Sequence, residues 1–212
     1  MILTEEQEAL IKEKLNYTVK FKETFDEVYD HVISTAEAAD YYNGPDEIIE
    51  QEFGSYANLK AMEKARAKLL FKVMRKKHGL NMAYFFNWPV IIFTLAITIA
   101  GYFIAANPAY RRYLKLVTVA LALAPILFVL FKKLESKYKA WRYDIYQKQS
   151  IKDNYIFIAA VLSNSLLNFV NFLNSNYVLY GSVVLFIFVC YSVYVLGFFR
   201  LYREEYHINI AQ

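Results

Sequence analysis

The distribution of hydrophobic residues divides the chain into a polar first part and an apolar second part. The second part contains four long apolar runs: Ala83–Ala106, Tyr113–Phe131, Tyr155–Leu173 and Val178–Phe199. None contains Asp or Glu, and only Lys115 carries a charge. A bilayer core is about 30 Å thick, so a helix needs about 20 apolar residues to cross it. Only helices and closed barrels satisfy their backbone polar groups in lipid. The pattern therefore predicts a four-helix transmembrane bundle in residues 81–212.

Residues 1–80 have the pattern of a small cytoplasmic helical domain, which we call the head. Thr4 and Gln7 form a capping box that predicts a helix to about Leu15. A second helix, ending at about Tyr42, is predicted from apolar residues at helical spacing. These residues are Phe21, Phe25, Val28 and Val32. The fold class is therefore all-α, since no strand pattern interrupts these helices.

Two further helices complete the predicted head. Pro45 suits the first position of a helix that runs to Phe53, and Gly54 suits the left-handed position after it. Ser55 then caps a fourth predicted helix, Tyr56–His78, which Gly79 is expected to end. Its apolar stripe consists of Leu59, Met62, Leu69 and Val73.

Charge is distributed unevenly along the chain. Residues 1–55 contain 14 acidic and 4 basic residues, a net charge of −10, whereas residues 56–82 and 83–212 each carry a net charge of +7. An acidic head therefore has a basic juxtamembrane end. Its basic collar, which we expect to face anionic lipid at about 1 kcal/mol per charge, consists of Lys72, Arg75, Lys76 and Lys77. Direct nucleic-acid binding is not expected, because the acidic head repels phosphate.

The positions of Lys and Arg predict the orientation in the membrane. Basic residues are concentrated before the first run, between the second and third runs, and after the fourth. Such residues mark the cytoplasmic side of a membrane. We therefore expect a protein of the bacterial inner membrane with both termini in the cytoplasm. The predicted outer hairpins are Asn107–Arg112 and Asn174–Tyr177, and only Arg111 and Arg112 oppose this orientation.

The cytoplasmic loop at about residues 132–153 is itself predicted to be helical, because nothing breaks a helix between Ile126 and Lys152. An apolar stripe on it consists of Leu134, Tyr138, Trp141 and Ile145. This helix either continues the second span and packs on the head, or lies along the anionic membrane surface.

The sequence offers no catalytic motif: it has no phosphate-binding Gly loop, GxSxG, HExxH or CxxC. We therefore expect no enzyme activity, no cofactor and no metal. A divalent ion would find ligands only along one face of the second helix, formed by Glu23, Glu27, Asp30 and His31. The favoured interpretation of this face is a solvated acidic surface, and it is the candidate partner-binding face.

The third run carries a polar stripe at helical spacing, formed by Asn164, Asn168, Asn171 and Ser175. Amides within a membrane seldom face lipid and form hydrogen bonds between helices, each worth about 0.6–2 kcal/mol. The stripe therefore predicts contacts inside the bundle or across a homo-oligomer. The alternative is the lining of a small-molecule or ion site, although no intramembrane carboxylate accompanies it.

The head resembles the helical signalling domain that accompanies PadR-type helix-turn-helix regulators in bacteria and also occurs as a permease-prefix domain. The resemblance covers about residues 5–75. It is carried by Phe25-Asp26-Glu27-Val28-Tyr29-Asp30-His31, by Gly44-Pro45-Asp46-Glu47-Ile48-Ile49 and by Glu52-Phe53-Gly54. It implies a cytoplasmic protein-binding domain tethered to a membrane module, without catalysis.

The expected function is that of a multi-pass inner-membrane signalling or regulatory protein. Its acidic head would bind a cytosolic protein, with a DNA-binding regulator as one candidate, and its spans would contact membrane lipids. Two alternatives remain at this stage: a small transporter or channel subunit with a polar path along the third span, and a membrane scaffold without a ligand.

Overall fold

The computed structural model describes residues 2–143, 150–176 and 181–207. In this part of the chain every regular element is helical, so the predicted all-α class is confirmed. The α-helices are α1 Glu5–Thr18, α2 Lys22–Ala38, α3 Pro45–Phe53, α4 Tyr56–Ala83, α5 Ile91–Ala106, α6 Pro108–Tyr143, α7 Ile151–Asn176 and α8 Gly181–His207.

Contacts divide the described chain into two compact units. The first extends to Val73 and includes residues 150–154, the start of α7. The second begins at Met74 and contains α5, α6, α8 and the remainder of α7. Helix α4 therefore begins in the first unit and ends in the second.

The first unit has a hydrophobic core contributed by all four of its leading helices. Its fully buried side chains are Ile11, Leu15, Val28, Val32, Ile49 and Leu59. Helix α4 also holds the link between α1 and α2, because the Glu63 carboxylate accepts hydrogen bonds from the backbone N–H groups of Lys20 (2.8 Å) and Phe21 (2.9 Å).

Local signals fixed the helix boundaries of the first unit well. Thr4 and Gln7 form the predicted reciprocal capping box at the start of α1. Helix α3 has the predicted bounds, and Gly54 follows it at φ 73°, the left-handed conformation that favours glycine. The Ser55 hydroxyl accepts a hydrogen bond from the Asn58 N–H at 3.1 Å and so caps α4 as predicted.

Three predicted helix ends were wrong. Helix α1 continues to Thr18 rather than ending near Leu15. Helix α2 ends at Ala38 rather than near Tyr42. Helix α4 does not end at Gly79 but continues to Ala83. A glycine inside a helix costs only about 1 kcal/mol relative to alanine, and burial of Asn81 on α4 beyond it shows that this turn packs against the protein.

The first apolar run is not one straight helix. After Ala83 a short 3₁₀ segment, Tyr84–Phe86, is followed by a break, and α5 begins only at Ile91. The break contains Pro89, which has no N–H to donate and disfavours helix in the residue before it. The peptide bond between Trp88 and Pro89 is cis.

The first predicted hairpin is much shorter than Asn107–Arg112. Asn107 alone separates α5 from α6, and its side-chain Oδ1 accepts a hydrogen bond from the Ala109 N–H at 3.0 Å. Pro108 takes the first helical position, where its missing N–H is not needed. Of the second predicted hairpin, Asn174–Asn176 belong to α7, and Tyr177 lies outside the described residues.

The helical loop after the second apolar run is confirmed as far as Tyr143, because α6 continues through it without interruption. On its predicted stripe, Leu134 and Tyr138 are exposed, whereas the Trp141 side chain and Ile145 lie outside the description. The predicted continuity to Lys152 was wrong, since Ser150 is not helical and α7 begins after it.

Two helices of the described part are long and apolar enough to cross a membrane, namely Tyr113–Tyr138 within α6 and Leu185–Tyr206 within α8. A third candidate is the pair Tyr56–Phe86 and Ile91–Ile104, whose axes are bent by 73°. Helix α7 covers the third predicted span, but its side chains from residue 166 onward lie outside the description. The chain thus has the features of a membrane protein, and the four-span layout stays a prediction.

The helices of the second unit approach closely at small residues. A Cβ on Gly101 would lie 2.8 Å from the Leu185 side chain, and one on Gly197 would lie 3.2 Å from the Met82 backbone nitrogen. Outside these contacts the unit presents large apolar side chains, as lipid requires. Among them are Ile92, Phe93, Ile99, Phe103, Leu116, Leu127, Phe131 and Phe186.

Candidate functional site

The candidate partner-binding face on α2 is only partly available to a partner. Glu23 points to the start of α7, where it accepts a hydrogen bond from the Ser150 hydroxyl and others, at 3.1 and 3.2 Å, from the Ile151 N–H. Burial raises the pKa of the Glu23 carboxyl, but these hydrogen bonds outweigh it and leave the pKa below its ordinary value. A carboxylate is favourable there, because the first N–H groups of a helix have no internal acceptor.

The neighbouring charged residues of this face also have partners within the first unit. Glu27 pairs with Arg66 on α4. His31 lies 3.7 Å from the Glu52 carboxylate, which also accepts a hydrogen bond from the Thr35 hydroxyl at 2.7 Å. These contacts hold α2 against α3 and α4, so they give Glu27 and His31 a structural role.

Asp30 differs from its neighbours because its carboxylate is exposed and forms no ion pair with any described residue. Its charge acts together with that of Glu8 on α1: burial raises the pKa of the Tyr29 hydroxyl, and both carboxylates raise it further. Asp26 is also exposed, one helical turn before Asp30 and on the same face. We call Glu8, Asp26 and Asp30 the α1–α2 acidic surface.

Another acidic residue of the head serves the fold instead. Asp46, near the start of α3, is 2.7 Å from the Lys14 ammonium and accepts a hydrogen bond from the Tyr56 hydroxyl. Hydrogen bonds from Lys14 and Tyr56 lower the pKa of the Asp46 carboxyl. The head's negative charge is thus partly compensated at Asp46, whereas the carboxylates of the α1–α2 acidic surface have no ion-pair partner among the described residues.

The second unit contains a buried histidine that the sequence did not single out as important. His78 is 5% exposed and packs among the rings of Tyr155, Tyr194 and Phe198. Its Nδ1 lies 3.4 Å from the Tyr155 hydroxyl, and its Nε2 makes no hydrogen bond of standard geometry with a described residue. Burial lowers the pKa of His78, opposed in part by the nearby Tyr194 backbone.

The basic collar is divided between internal and external roles. Lys77 pairs with the buried carboxylate of Glu205 on α8. Beside it, Asn81 donates a hydrogen bond to Glu204 at 2.8 Å, and Arg200 pairs with the same carboxylate at 3.0 Å. In contrast, the remaining members of the collar are exposed: Lys72, Arg75 and Lys76.

The polar stripe of the third run is mostly outside the description. Asn164 is half-buried, and the side chains of Asn168, Asn171 and Ser175 are not described, so their predicted role stays a prediction.

Other groups make the interhelical hydrogen bonds of the described part. The Ser163 hydroxyl donates to the Ala122 carbonyl of α6 at 3.0 Å, and the Tyr191 hydroxyl of α8 donates to the Ser163 carbonyl at 3.2 Å. Ser163 precedes Asn164 by one residue and so lies outside the predicted polar stripe, which is why the sequence did not indicate these contacts.

Among the described residues, no group of three His, Cys, Asp or Glu side chains is arranged to hold a metal ion. This includes the face of α2 formed by Glu23, Glu27, Asp30 and His31. No family model, curated protein or solved structure matches the chain. Functional interpretation consequently depends on the charge, burial and contacts given above.

Proposed function

We propose that this chain is a multi-pass inner-membrane signalling or regulatory protein whose acidic cytoplasmic head binds a cytosolic protein with a basic surface. Residues 81–212 cross the membrane four times with both termini in the cytoplasm. The observation that carries the proposal is the α1–α2 acidic surface, where exposed carboxylates have no ion-pair partner among the described residues.

The carboxylates of the α1–α2 acidic surface are available to a basic partner, unlike the carboxylates that are paired within the head. Glu23, Glu27 and Asp46 are committed to contacts within the fold, whereas the carboxylates of Glu8 and Asp30 both act on the Tyr29 hydroxyl, where burial comes first and their charges then raise its pKa further. A basic partner would neutralise this local negative charge. Complementary charge also raises association rates by about 10- to 1000-fold, an effect that salt weakens.

Residues 81–212 would hold the head, and any protein bound to it, close to the bilayer. Helices α6 and α8 supply the two unbroken candidate spans, and the exposed apolar side chains of the second unit need lipid around them. A DNA-binding regulator is the candidate partner implied by the resemblance of residues 5–75 alone; for any basic protein, the outcome would be retention at the membrane.

Photo-crosslinking in bacterial cells tests the proposal on the full chain. A photoreactive residue replaces Asp26, so that a protein bound to the α1–α2 acidic surface becomes covalently attached. We expect an adduct that disappears when Glu8→Lys and Asp30→Lys are combined, because the partner then meets like charge.

A matched pair of substitutions controls for net charge. Glu13→Lys and Glu50→Lys change the charge of the head equally at other exposed positions, so the adduct should persist. Loss of the adduct in both double variants, or in neither, would show that the α1–α2 acidic surface does not select the partner.

A further inference from the structure

Helix α4 carries an apolar stripe that the other described residues leave exposed. Leu69 and Leu80 are each 62% exposed, and Val73 is 42% exposed. At 100° per residue these side chains fall within about 40° of one line along the helix. The buried face of the same helix, which includes Met74 and Asn81, points elsewhere. We call Leu69, Val73 and Leu80 the α4 apolar stripe.

A row of positive charge runs beside this stripe. Lys68, Lys72 and Lys76 are exposed, follow one another at intervals of four residues, and form no ion pair with any described residue. They constitute the α4 lysine row. An apolar stripe bordered by lysines is the pattern of a helix that lies in the headgroup region of a membrane.

The direction of the helix fits that position. The helical segment that ends at Phe86 is bent by 73° from Ile91–Ile104 in α5. If α5 crosses the bilayer with the usual tilt of about 20°, α4 runs to within about 40° of the bilayer plane. At the junction Trp88 is 79% exposed and Tyr84 is 38% exposed, and both residue types are enriched at membrane interfaces.

We propose that α4 is an interfacial helix, with the α4 apolar stripe in the outer acyl region and the α4 lysine row on anionic phospholipid headgroups. A lipid surface, rather than a protein, is the occupant because one face must satisfy both an apolar line and adjacent unpaired cations. This inference rests on the membrane-spanning part of the proposed function, but it goes beyond that proposal because it holds whether or not the head binds a partner.

Spin labels on the full-length protein in nanodiscs of phosphatidylglycerol and phosphatidylcholine test the position of the helix. Labels are attached at Val73→Cys or Leu80→Cys in a Cys190→Ala background, and Lys64→Cys, an exposed site turned away from the stripe, is the control. We expect stripe labels to collide more with dissolved oxygen, and less with a water-soluble nickel chelate, than the control label. Equal accessibility at all three sites overturns the proposal, and so does shielding from both reagents, which would mean that protein covers the stripe.

Lipid retention tests the lysines independently. Glutamine replaces all three members of the α4 lysine row, and native mass spectrometry measures bound phosphatidylglycerol relative to phosphatidylcholine. Because one lysine near an anionic surface contributes about fivefold, the ratio should fall at least about fivefold. A control variant with Lys12, Lys20 and Lys22 replaced by glutamine should keep the ratio. An unchanged ratio in the first variant, or an equal fall in the control, contradicts the assignment.

Discussion

Replacement of Glu23 by alanine should loosen the first turn of α7. Ile151 is fully buried, and its N–H donates to Glu23. With the acceptor gone, this buried donor has no acceptor in the described structure, which costs about 1–3 kcal/mol. Loss of negative charge at the helix start adds about 0.3–1 kcal/mol.

Hydrogen exchange measured by mass spectrometry reads this effect locally. A loss of 1–3 kcal/mol corresponds to about 5- to 150-fold faster exchange in a peptide covering the start of α7. Glu23→Gln retains an acceptor oxygen and loses only the charge, so it should give a smaller increase. Asp26→Ala is the matched control, because Asp26 is an exposed carboxylate on the same helix.

Unchanged exchange at the start of α7 in Glu23→Ala, or an equal increase in Asp26→Ala, would refute this role of Glu23. The same contact predicts the effect of acid. Because the pKa of Glu23 is lower in the folded protein than its ordinary 4.5, its contribution is complete above pH 4.5 and is lost as pH falls through the folded value.

Two further predictions concern the second unit, each measured by thermal unfolding in detergent. Gly197→Ala should destabilise the folded protein by about 1–3 kcal/mol, because the new Cβ would press on Met82. Gly79→Ala is the control: its Cβ meets open space, so the change should be neutral or stabilise the fold by up to about 1 kcal/mol. Equal melting temperatures for the two variants would contradict the packing at Gly197. His78 has a folded pKa below its ordinary 6.5, so the unfolded chain binds its proton more readily and stability should fall as pH drops below 6.5. His78→Phe should weaken that pH dependence, and an unchanged slope would refute it.

Local sequence signals predicted the helices of the head because their determinants lie within a few residues. The capping box at Thr4, the proline at the start of α3 and the left-handed Gly54 each act on the adjacent turn. The predicted helix end at Gly79 was wrong because its determinant is not local: residues beyond it, such as Asn81, pack against the protein and keep α4 helical. Pro89 was visible in the sequence, but the length of the first apolar run alone predicted a single span and gave no weight to the break that this proline marks.

The roles of the candidate site residues depended on contacts between distant parts of the chain. Glu23 and Ser150 are 127 residues apart, so no spacing rule could show that this carboxylate caps α7. The pairing of Glu27 with Arg66 and of Lys77 with Glu205 was hidden in the same way. Composition gave the sign of the head's charge, and only the structure distinguishes the exposed carboxylates from those engaged within the fold.

Cysteine accessibility in intact bacterial cells tests most directly whether the head faces the cytoplasm and whether the first two spans are joined outside. In a Cys190→Ala background, single cysteines replace Lys60 in the head, Ala109 at the junction of α5 and α6, and Lys137 in the extension of α6. All three sites are exposed. We expect a membrane-impermeant maleimide to label Ala109→Cys in intact cells, and to label Lys60→Cys and Lys137→Cys only after permeabilisation. Labelling of Lys60→Cys in intact cells, or protection of Ala109→Cys as on a re-entrant loop, would contradict this topology.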